Sequence, residues 1–536
     1  MWDGLERFMN FISLQFIIFL MAVFGVYYIV PKRFQWVCLL VASYTFYLFS
    51  GIGVAAFLVF TTVSTFYIGR LLDKVNNRSR TALAEGKGTL TKDERNRLKD
   101  DAKKKKRWIL AVALVVNFGI LAFLKYYNFF AGNLNTMLGW LSVDAQLLRL
   151  NLLMPLGISF YTFQAAGYLF DVYQGKCTAD AHLAKFALFV SFFPQIVQGP
   201  ISRYDQLARQ LYAPHKFDYT QAKYGVCLMM WGMFKKLVIA DRAALLVNQV
   251  FGNHQNYAGI ELFIASTFYC IQIYADFSGG IDIAIGAAQV MGIQLSPNFR
   301  RPYFARSITE FWQRWHITLG AWVRNYLFYP LCLSKPFTRL GKSARRVFGN
   351  YVGKILSTCL VTLIAFLVIG IWHGSSWKYV AYGLYNGGLI TLALLLTPLF
   401  DRAKKHIRTE TFSWRLFQTL RTLVLVCIGR YFSRADSLMT ALNMIKNTFT
   451  THNPWILFDG SIYQLGLEAG DMHILFAGVI LWLFISVMQE RGVGIREWLN
   501  RQNIIFRWTA YLAGIFAVVM LSAGQDLVRG FIYAQF

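Results

Sequence analysis

The sequence predicts an all-α, polytopic integral membrane protein, and three observations carry that prediction. Of its 536 residues, 56% are hydrophobic and 17% aromatic, with a mean hydropathy of +0.41. Soluble globular chains rarely reach those values together. Only 15% are charged, too few to clothe a surface in water. The apolar runs are long and unbroken rather than alternating. Of the two structures that satisfy their own backbone hydrogen bonds in a bilayer, this favours helices over a closed barrel. By the twenty-residue rule the chain holds roughly eleven to thirteen spans, with re-entrant or interfacial helices between them.

The elements follow in order. The opening MWDGLERFMNFISLQ lacks a basic n-region and a small-residue cleavage site, so the first apolar run reads as a retained helix. Runs at 11–30, 36–50 and 54–67 come next, the last two parted by Ser50-Gly51-Ile52-Gly53. The polar stretch 70–107 holds fourteen Lys and Arg against six Asp and Glu and ends in KKKKR. It is expected to be a basic cytoplasmic loop touching anionic lipid, which places the N-terminus outside. Further runs lie at 108–130, 152–172, 183–194, 226–247 and 262–290. The 152–172 run mixes Pro, Gly, Ser, Thr and Gln, which suits a helix buried among helices. Lys235 and Lys236 sit inside apolar sequence and are expected to snorkel to the cytoplasmic interface. Residues 334–354 and 401–415 are basic and read as cytoplasmic. Runs at 355–371 and 379–399 flank His373, and Gly383 with Gly387 gives a small-xxx-small spacing. After 422–431, residues 433–472 carry more acids than bases and mark the outer face. Runs at 474–488 and 508–521 close the chain. No internal repeat is visible, which weakens a transporter built on inverted repeats.

Composition excludes several function classes. The net charge of +27 reflects basic membrane loops, because no interleaved basic and aromatic platform for stacking bases is present; no nucleic-acid partner is expected. Seven cysteines form no CxxC and sit mostly in apolar runs, as small hydrophobes. Gly341-Lys342-Ser343 resembles the end of a P-loop, but the required first glycine is Pro336. There is no HExxH and no GxSxG, and two distant histidines without a third ligand do not make a zinc site.

The chemistry gathers in residues 311–330, FWQRWHITLGAWVRNYLFYP. As one helix, Trp312, Trp315, Leu319, Trp322 and Tyr326 form an apolar stripe, with His316 on its flank. The segment is too polar to face lipid and is expected to be tucked into the protein or to lie along the interface. His373 follows in IGIWHGSSW, where Gly374 is expected to end a helix. An intramembrane ionisable group is a functional candidate by default, and a neutral histidine is what a general base requires. Each also has a bland reading: His316 as a histidine packed by tryptophans, His373 as a helix-end residue bonding the last carbonyls. The two are expected to meet in one site. Asp276 and Asp282 lie in IYADFSGGIDIAIG. Asp276 could orient a histidine, but pairing with Arg314 or Arg324 is the favoured reading, since buried charges usually pair.

The stretch QIYADFSGGIDIAIGAAQVMGIQLSPNFRRPYFARSITEFWQRWHITLGAWVRNYLFYPL resembles the signature region of the membrane-bound O-acyltransferase (MBOAT) family. It is closest to the bacterial branch that O-acetylates alginate and other exopolysaccharides. The likeness extends to PLGISFYTFQAAGYLFDVY, SFFPQIVQGPISRY, GMFKKLVIADR, IGIWHGSSWKYVAYGLYNG, FSRADSLMTALNMI and the terminal FIYAQF, and so covers most of the chain from about Leu153. It implies one membrane domain over 1–536, a core at 150–450 containing a tunnel, and a catalytic region at 268–390. It implies His373 of the WHG motif as the catalytic residue and His316 of the RWH motif as its partner. Trp312, Arg314, Trp315, Arg324, Trp372, Asp276 and Asn386 would support or bind substrate. No bound cofactor or metal is implied. Acetyl-CoA or an acyl-carrier thioester would be the cytoplasmic donor, and a polysaccharide hydroxyl outside the bacterial cytoplasmic (inner) membrane the acceptor, with an extracytoplasmic acetyltransferase as partner. The rival readings are D-alanyl transfer to teichoic acid, in the same superfamily, and a non-catalytic channel or carrier.

Overall fold

Every regular element among the described residues of the computed structural model is a helix. The described residues are 9–522 and 530–532; the first eight residues of the retained-helix reading and the last four of FIYAQF lie outside them. The chain divides into two compact units: Met1–Val226 with Ala284–Ser296, and Cys227–Ile283 with Pro297–Phe536.

The first unit holds α1 (Leu14–Ile29), α2 (Gln35–Leu48), α3 (Ile52–Glu85), α4 (Lys92–Trp140), α5 (Ile158–Gln174), α6 (Leu183–Ser191), α7 (Phe193–Ile196) and α8 (Tyr204–Tyr212). The stretch 70–107 is not a loop. Its Lys, Arg, Glu and Ala are good helix formers, so α3 and α4 run on through it and meet at a short turn over 86–91. Thr91 starts α4 with a capping box: its hydroxyl accepts from the Glu94 N–H, and the Glu94 carboxylate accepts from the Thr91 N–H at 2.8 Å. Charge alone marked the segment as a connection, because helix propensity in a charged run leaves no apolar stripe to read. Val115, Phe123 and Phe130 of α4 are exposed, as a lipid-facing helix requires. α5 is the buried helix its small and polar residues imply. Its Gln164 amide donates to the Phe189 carbonyl at 2.8 Å and accepts from Gln195. Gly157 ahead of it has φ +69°, and any Cβ there would meet the Ile196 carbonyl.

α9 (Tyr219–Met233) and α11 (Ile260–Val290) begin or end in both units. Within the second unit Gly232 of α9 abuts the Gly279 carbonyl so closely that a Cβ would lie 2.5 Å from it. A π-helical segment, Phe234–Ala240, then leads into α10 (Asp241–Gly252). Here lies the second correction. Lys235 and Lys236 do not snorkel; they are 4% and 2% exposed. Lys235 Nζ lies 2.8 Å from Asp282 and 2.8 Å from the Ser278 hydroxyl. Lys236 Nζ lies 2.8 Å from both Asp241 and Asp276. Snorkelling serves a lysine without a partner. Three carboxylates within reach keep these two inside, since a paired and hydrogen-bonded charge tolerates burial.

The remaining helices are α12 (Ile308–Arg314), α13 (Ile317–Val323), α14 (Tyr329–Cys332), α15 (Lys335–His373), α16 (Trp377–Leu395), α17 (Thr397–Lys404), α18 (Phe412–Arg434), α19 (Leu438–Thr450), α20 (Ala469–Glu490), α21 (Ile495–Asn500) and α22 (Ile504–Met520). The expected close approach of glycines is present: a Cβ on Gly383 of α16 would fall 2.4 Å from the Phe366 carbonyl of α15, beside Gly370. The basic residues of 334–354 belong to α15, which is broken only at Gly349 (φ 80°, ψ 174°). Among the described residues five helices are long and apolar enough to cross a membrane, α3, α4, α11, α15 and α20. The pair α16–α17, bent by 58°, makes six if taken as one span, and α1 and α22 are shorter apolar helices. The protein is a helical, multi-pass membrane protein.

The lysine–aspartate cluster generates a prediction. Lys236→Met leaves Asp241 and Asp276 buried without their shared cation, a change that typically costs about 3–5 kcal/mol. Detergent-solubilised protein should melt far earlier or fail to accumulate. Asp276→Asn leaves the Lys236–Asp241 pair intact and should lower the melting temperature less. A larger loss from Asp276→Asn would show that its carboxylate serves something other than this pair.

Candidate active site

The stretch expected as one helix breaks at its histidine. α12 ends at Arg314, Trp315 is extended (φ −103°, ψ 129°), and His316 takes the left-handed conformation (φ 45°, ψ 55°) before α13 begins. A non-glycine residue held there costs about 1–3 kcal/mol, and such strain persists only where the surroundings over-determine it. The surroundings are Asn298, 1% exposed. Its carbonyl accepts from the Ile317 N–H at 2.9 Å, and the Arg300 N–H donates to the Arg314 carbonyl at 2.9 Å. Residues 298–300 thus run along 314–317 and hold the break open. The Asn298 side-chain oxygen accepts from the Thr318 N–H at 3.1 Å and from the Thr318 hydroxyl at 2.8 Å, and lies 3.1 Å from His316 Nδ1. An oxygen collecting donors is best completed by another donor, so this pattern assigns the hydrogen of His316 to Nδ1 and leaves Nε2 as the basic nitrogen. Burial penalises the imidazolium and pushes the His316 pKa down to about 3. Burial and the Asn298 contact thus favour a neutral imidazole held in one orientation.

The break also rearranges the tryptophans. They do not share one stripe, because a helix-wide stripe needs a continuous helix. Trp315 is 1% exposed and packed by Phe299 (ring centroids 5.0 Å apart), Phe311 (5.5 Å) and Tyr274 (5.9 Å). Trp312 is half-buried and its Nε1–H donates to Asn386 Oδ1 at 3.2 Å; the Asn386 amide in turn donates to the Tyr382 carbonyl at 2.9 Å.

His373 is the last residue of α15, where Gly374 ends the helix as expected. A Cβ at Gly374 would strike the Tyr379 ring at 2.2 Å, so any side chain there would have to displace that ring. The structure brings the two histidines to one aromatic cluster. Trp372 stands between them, 5.9 Å from the His316 ring and 4.9 Å from the His373 ring. Phe277 closes on the other side of His316 at 4.9 Å, and Tyr382 lies 5.8 Å from His373. Both imidazoles are buried, 1% and 8% exposed.

Three expected supporting residues are placed elsewhere. Asp276 meets neither histidine nor arginine; its carboxylate is taken by Lys236 and by the Ile532 N–H at 3.0 Å. It does tie elements together, but through the nearer lysine. Arg314 turns outward to Glu310 (2.7 Å) and Glu490 (2.9 Å). Arg324 is exposed in the π-helical segment Arg324–Phe328. The break at His316 explains Arg324, because it re-aims every side chain after Arg314; Arg314 itself, ahead of the break, is held by Glu310 and Glu490. Sequence reasoning missed Asn298 and Arg430. Asn298 follows Pro297, and nothing in the local sequence separates it from an ordinary turn asparagine. Arg430 sits in an apolar run of α18 and is 2% exposed; an intramembrane arginine was itself the signal. Its guanidinium lies 4.8 Å above the Trp315 ring and its Nη1 donates to the Tyr382 hydroxyl at 3.3 Å. Among the described residues no three His, Cys, Asp or Glu side chains gather as a metal site would need.

The arrangement is suited to acid–base chemistry on a substrate in an aromatic, water-poor surround: two buried imidazoles, one of them fixed in its neutral form. Comparison with known proteins agrees. Residues 178–431 match the membrane-bound O-acyltransferase family, MBOAT. A protein of Pseudomonas syringae pv. tomato named "Probable alginate O-acetylase AlgI" is 30% identical over 487 residues, covering 90% of this chain and 83% of that one. A Helicobacter pylori "Peptidoglycan O-acetyltransferase" is 32% identical over 370 residues, 64% of each chain. A Bacillus subtilis "Teichoic acid D-alanyltransferase" is 29% identical over 287 residues, 52% of this chain and 69% of that one. With the likeness to the first relative running almost from end to end, the chain belongs to the membrane-bound O-acyltransferase family and is an acyltransferase.

Proposed function

We propose that this acyltransferase passes an acetyl group from a cytoplasmic thioester, acetyl-CoA or an acyl carrier, toward hydroxyls of an extracytoplasmic polysaccharide. The observation that carries the reading is the pair of buried imidazoles on Trp372 in a chain so extensively similar to a named alginate O-acetylase. His373 takes the proton of the acceptor hydroxyl or attacks the thioester itself. His316, neutral and held through Nδ1, orients the reacting groups by accepting a hydrogen bond at its remaining nitrogen. A frame of eleven to thirteen crossings around a tunnel, in the bacterial inner membrane, lets one site meet a donor made inside and a glycan outside. The basic residues of the α3–α4 hairpin and of α15 face the cytoplasm in this reading and draw in an anionic donor. A separate extracytoplasmic acetyltransferase is the expected partner, and no bound cofactor is required.

D-alanyl transfer is the weaker reading, because the likeness to the protein named for it covers 52% of this chain rather than 90%. A channel without chemistry is weaker still. The buried lysines and aspartates of the second unit neutralise one another instead of lining up as a relay.

Three outcomes follow. His373→Ala should abolish base-labile acetate on surface glycan while membrane yield hardly changes, since one ring at a helix end is lost; normal acetylation by the folded variant would sink the assignment. His316→Gln keeps a polar side chain that can still accept a hydrogen bond and should retain measurable activity, down about a hundredfold to a thousandfold as for one lost stabilising hydrogen bond. His373→Gln should retain none, and the reverse ranking at matched abundance would exchange the roles. Finally, single cysteines in a background lacking the native seven should react with an impermeant thiol reagent in intact cells at residues 455–465 but not at 86–91. Labelling at 86–91 would overturn the orientation.

A further inference from the structure

Arg430 is a buried cation that no carboxylate pairs among the described residues. The groups that face it are the hydroxyls of Tyr382, Tyr303 and Tyr269 and the thiol of Cys270. Arginine does not shed its proton to escape burial, and an unpaired buried charge is strongly destabilising. Packing alone gives no reason for a guanidinium here, where a methionine or leucine would fill the space. What the guanidinium touches is specific. It lies over Trp315, the residue before His316, and Nη1 donates to the hydroxyl of Tyr382, whose ring lies beside His373. The Tyr382 hydroxyl accepts this bond and has no recorded acceptor for its own hydrogen among the described residues. Its ring is 5% exposed and is held by the Asn386 amide on its backbone and Trp312 at 6.4 Å.

We propose that the Tyr382 hydroxyl, polarised by Arg430, is the donor that receives the thioester carbonyl oxygen during acyl transfer. Tyr382 is a catalytic residue in this scheme and Arg430 a positioning residue acting through it. A hydroxyl that accepts from a guanidinium is a stronger donor through its own hydrogen. When the acceptor oxygen, relieved of its proton by His373, bonds to the carbonyl carbon, the carbonyl π pair moves onto oxygen. That oxyanion takes the hydrogen bond from Tyr382. On collapse the C=O re-forms, the C–S bond breaks with its pair on sulfur, and the proton held by His373 passes to the leaving thiolate. The cation behind Tyr382 favours the charged intermediate over the neutral thioester, which is the difference that accelerates a reaction.

The inference rests on His373 serving the acyl transfer, and the test separates the two. Acetate appearing on surface glycan is followed per enzyme in cells expressing each full-length variant at matched abundance, with melting in detergent measured alongside. Tyr382→Phe keeps the ring and removes only the hydroxyl. It should slow transfer about a hundredfold or more while still accumulating, with a lower melting temperature because Arg430 Nη1 loses its acceptor. Arg430→Gln should slow it comparably, Arg430→Lys should fall between Arg430→Gln and the native enzyme, and the double variant should be no slower than Tyr382→Phe alone, as for groups acting as a unit. If Arg430→Gln does not accumulate, Tyr382→Phe and Arg430→Lys still decide. Near-native transfer by Tyr382→Phe, with or without a lowered melting temperature, overturns the proposal while leaving His373 in place. Transfer by His373→Ala overturns the reading beneath it.

Discussion

The second unit's chemistry depends on one oxygen atom, Oδ1 of Asn298. It gathers the backbone N–H and hydroxyl of Thr318 and the Nδ1 of His316, and so stabilises a left-handed residue where the local sequence would otherwise continue a helix. A continuous helix would spread the tryptophans along one flank and set His316 among them. The break instead turns Trp315 inward as a wall and aims the histidine at Trp372. Strain of about 1–3 kcal/mol is small beside several buried hydrogen bonds, but it is localised at the residue that must be aimed.

Around that point the second unit uses two contrasting ways of burying charge. The lysines of the π-helical segment are fully partnered by Asp241, Asp276 and Asp282, and act as a structural tie. Arg430 is surrounded by rings and hydroxyls and left without a carboxylate. A tie and a poised charge are told apart by their partners rather than by their burial, because all three cations are at most 4% exposed.

Much of this was legible in the sequence. Composition and run length identified the helical membrane class, the mixed 152–172 run identified a buried helix, and Gly383 with Gly387 identified a close helix contact, since each rests on a local pattern with one physical solution. His316 and His373 stood out because ionisable groups are rare in apolar surroundings. What escaped was set by distant partners. Lys235 and Lys236 looked like snorkelling residues because two of their three carboxylates, Asp276 and Asp282, lie on α11, far along the sequence. The polar stretch 70–107 looked like a loop because charge hides helical periodicity. The turn at His316 was invisible because the residue that makes it, Asn298, is eighteen positions upstream and acts through one side-chain atom. Asp276 was correctly read as a tie but given the wrong cation for the same reason.

The π-helical segment Phe234–Ala240 has a bearing on how such a chain can change over time. A π turn holds one more residue than an α turn, and here the wider turn lets two successive lysines each reach carboxylates. Loss of a single residue would restore an ordinary helix and rotate everything after it by about 100°. Arg242 would then swing away from Asp471, which it meets at 2.9 Å, and both lysines would lose their alignment with α11. The length of this helix can change only together with a matching change in α11. The segment therefore acts as a length standard for the pairing of this helix with α11.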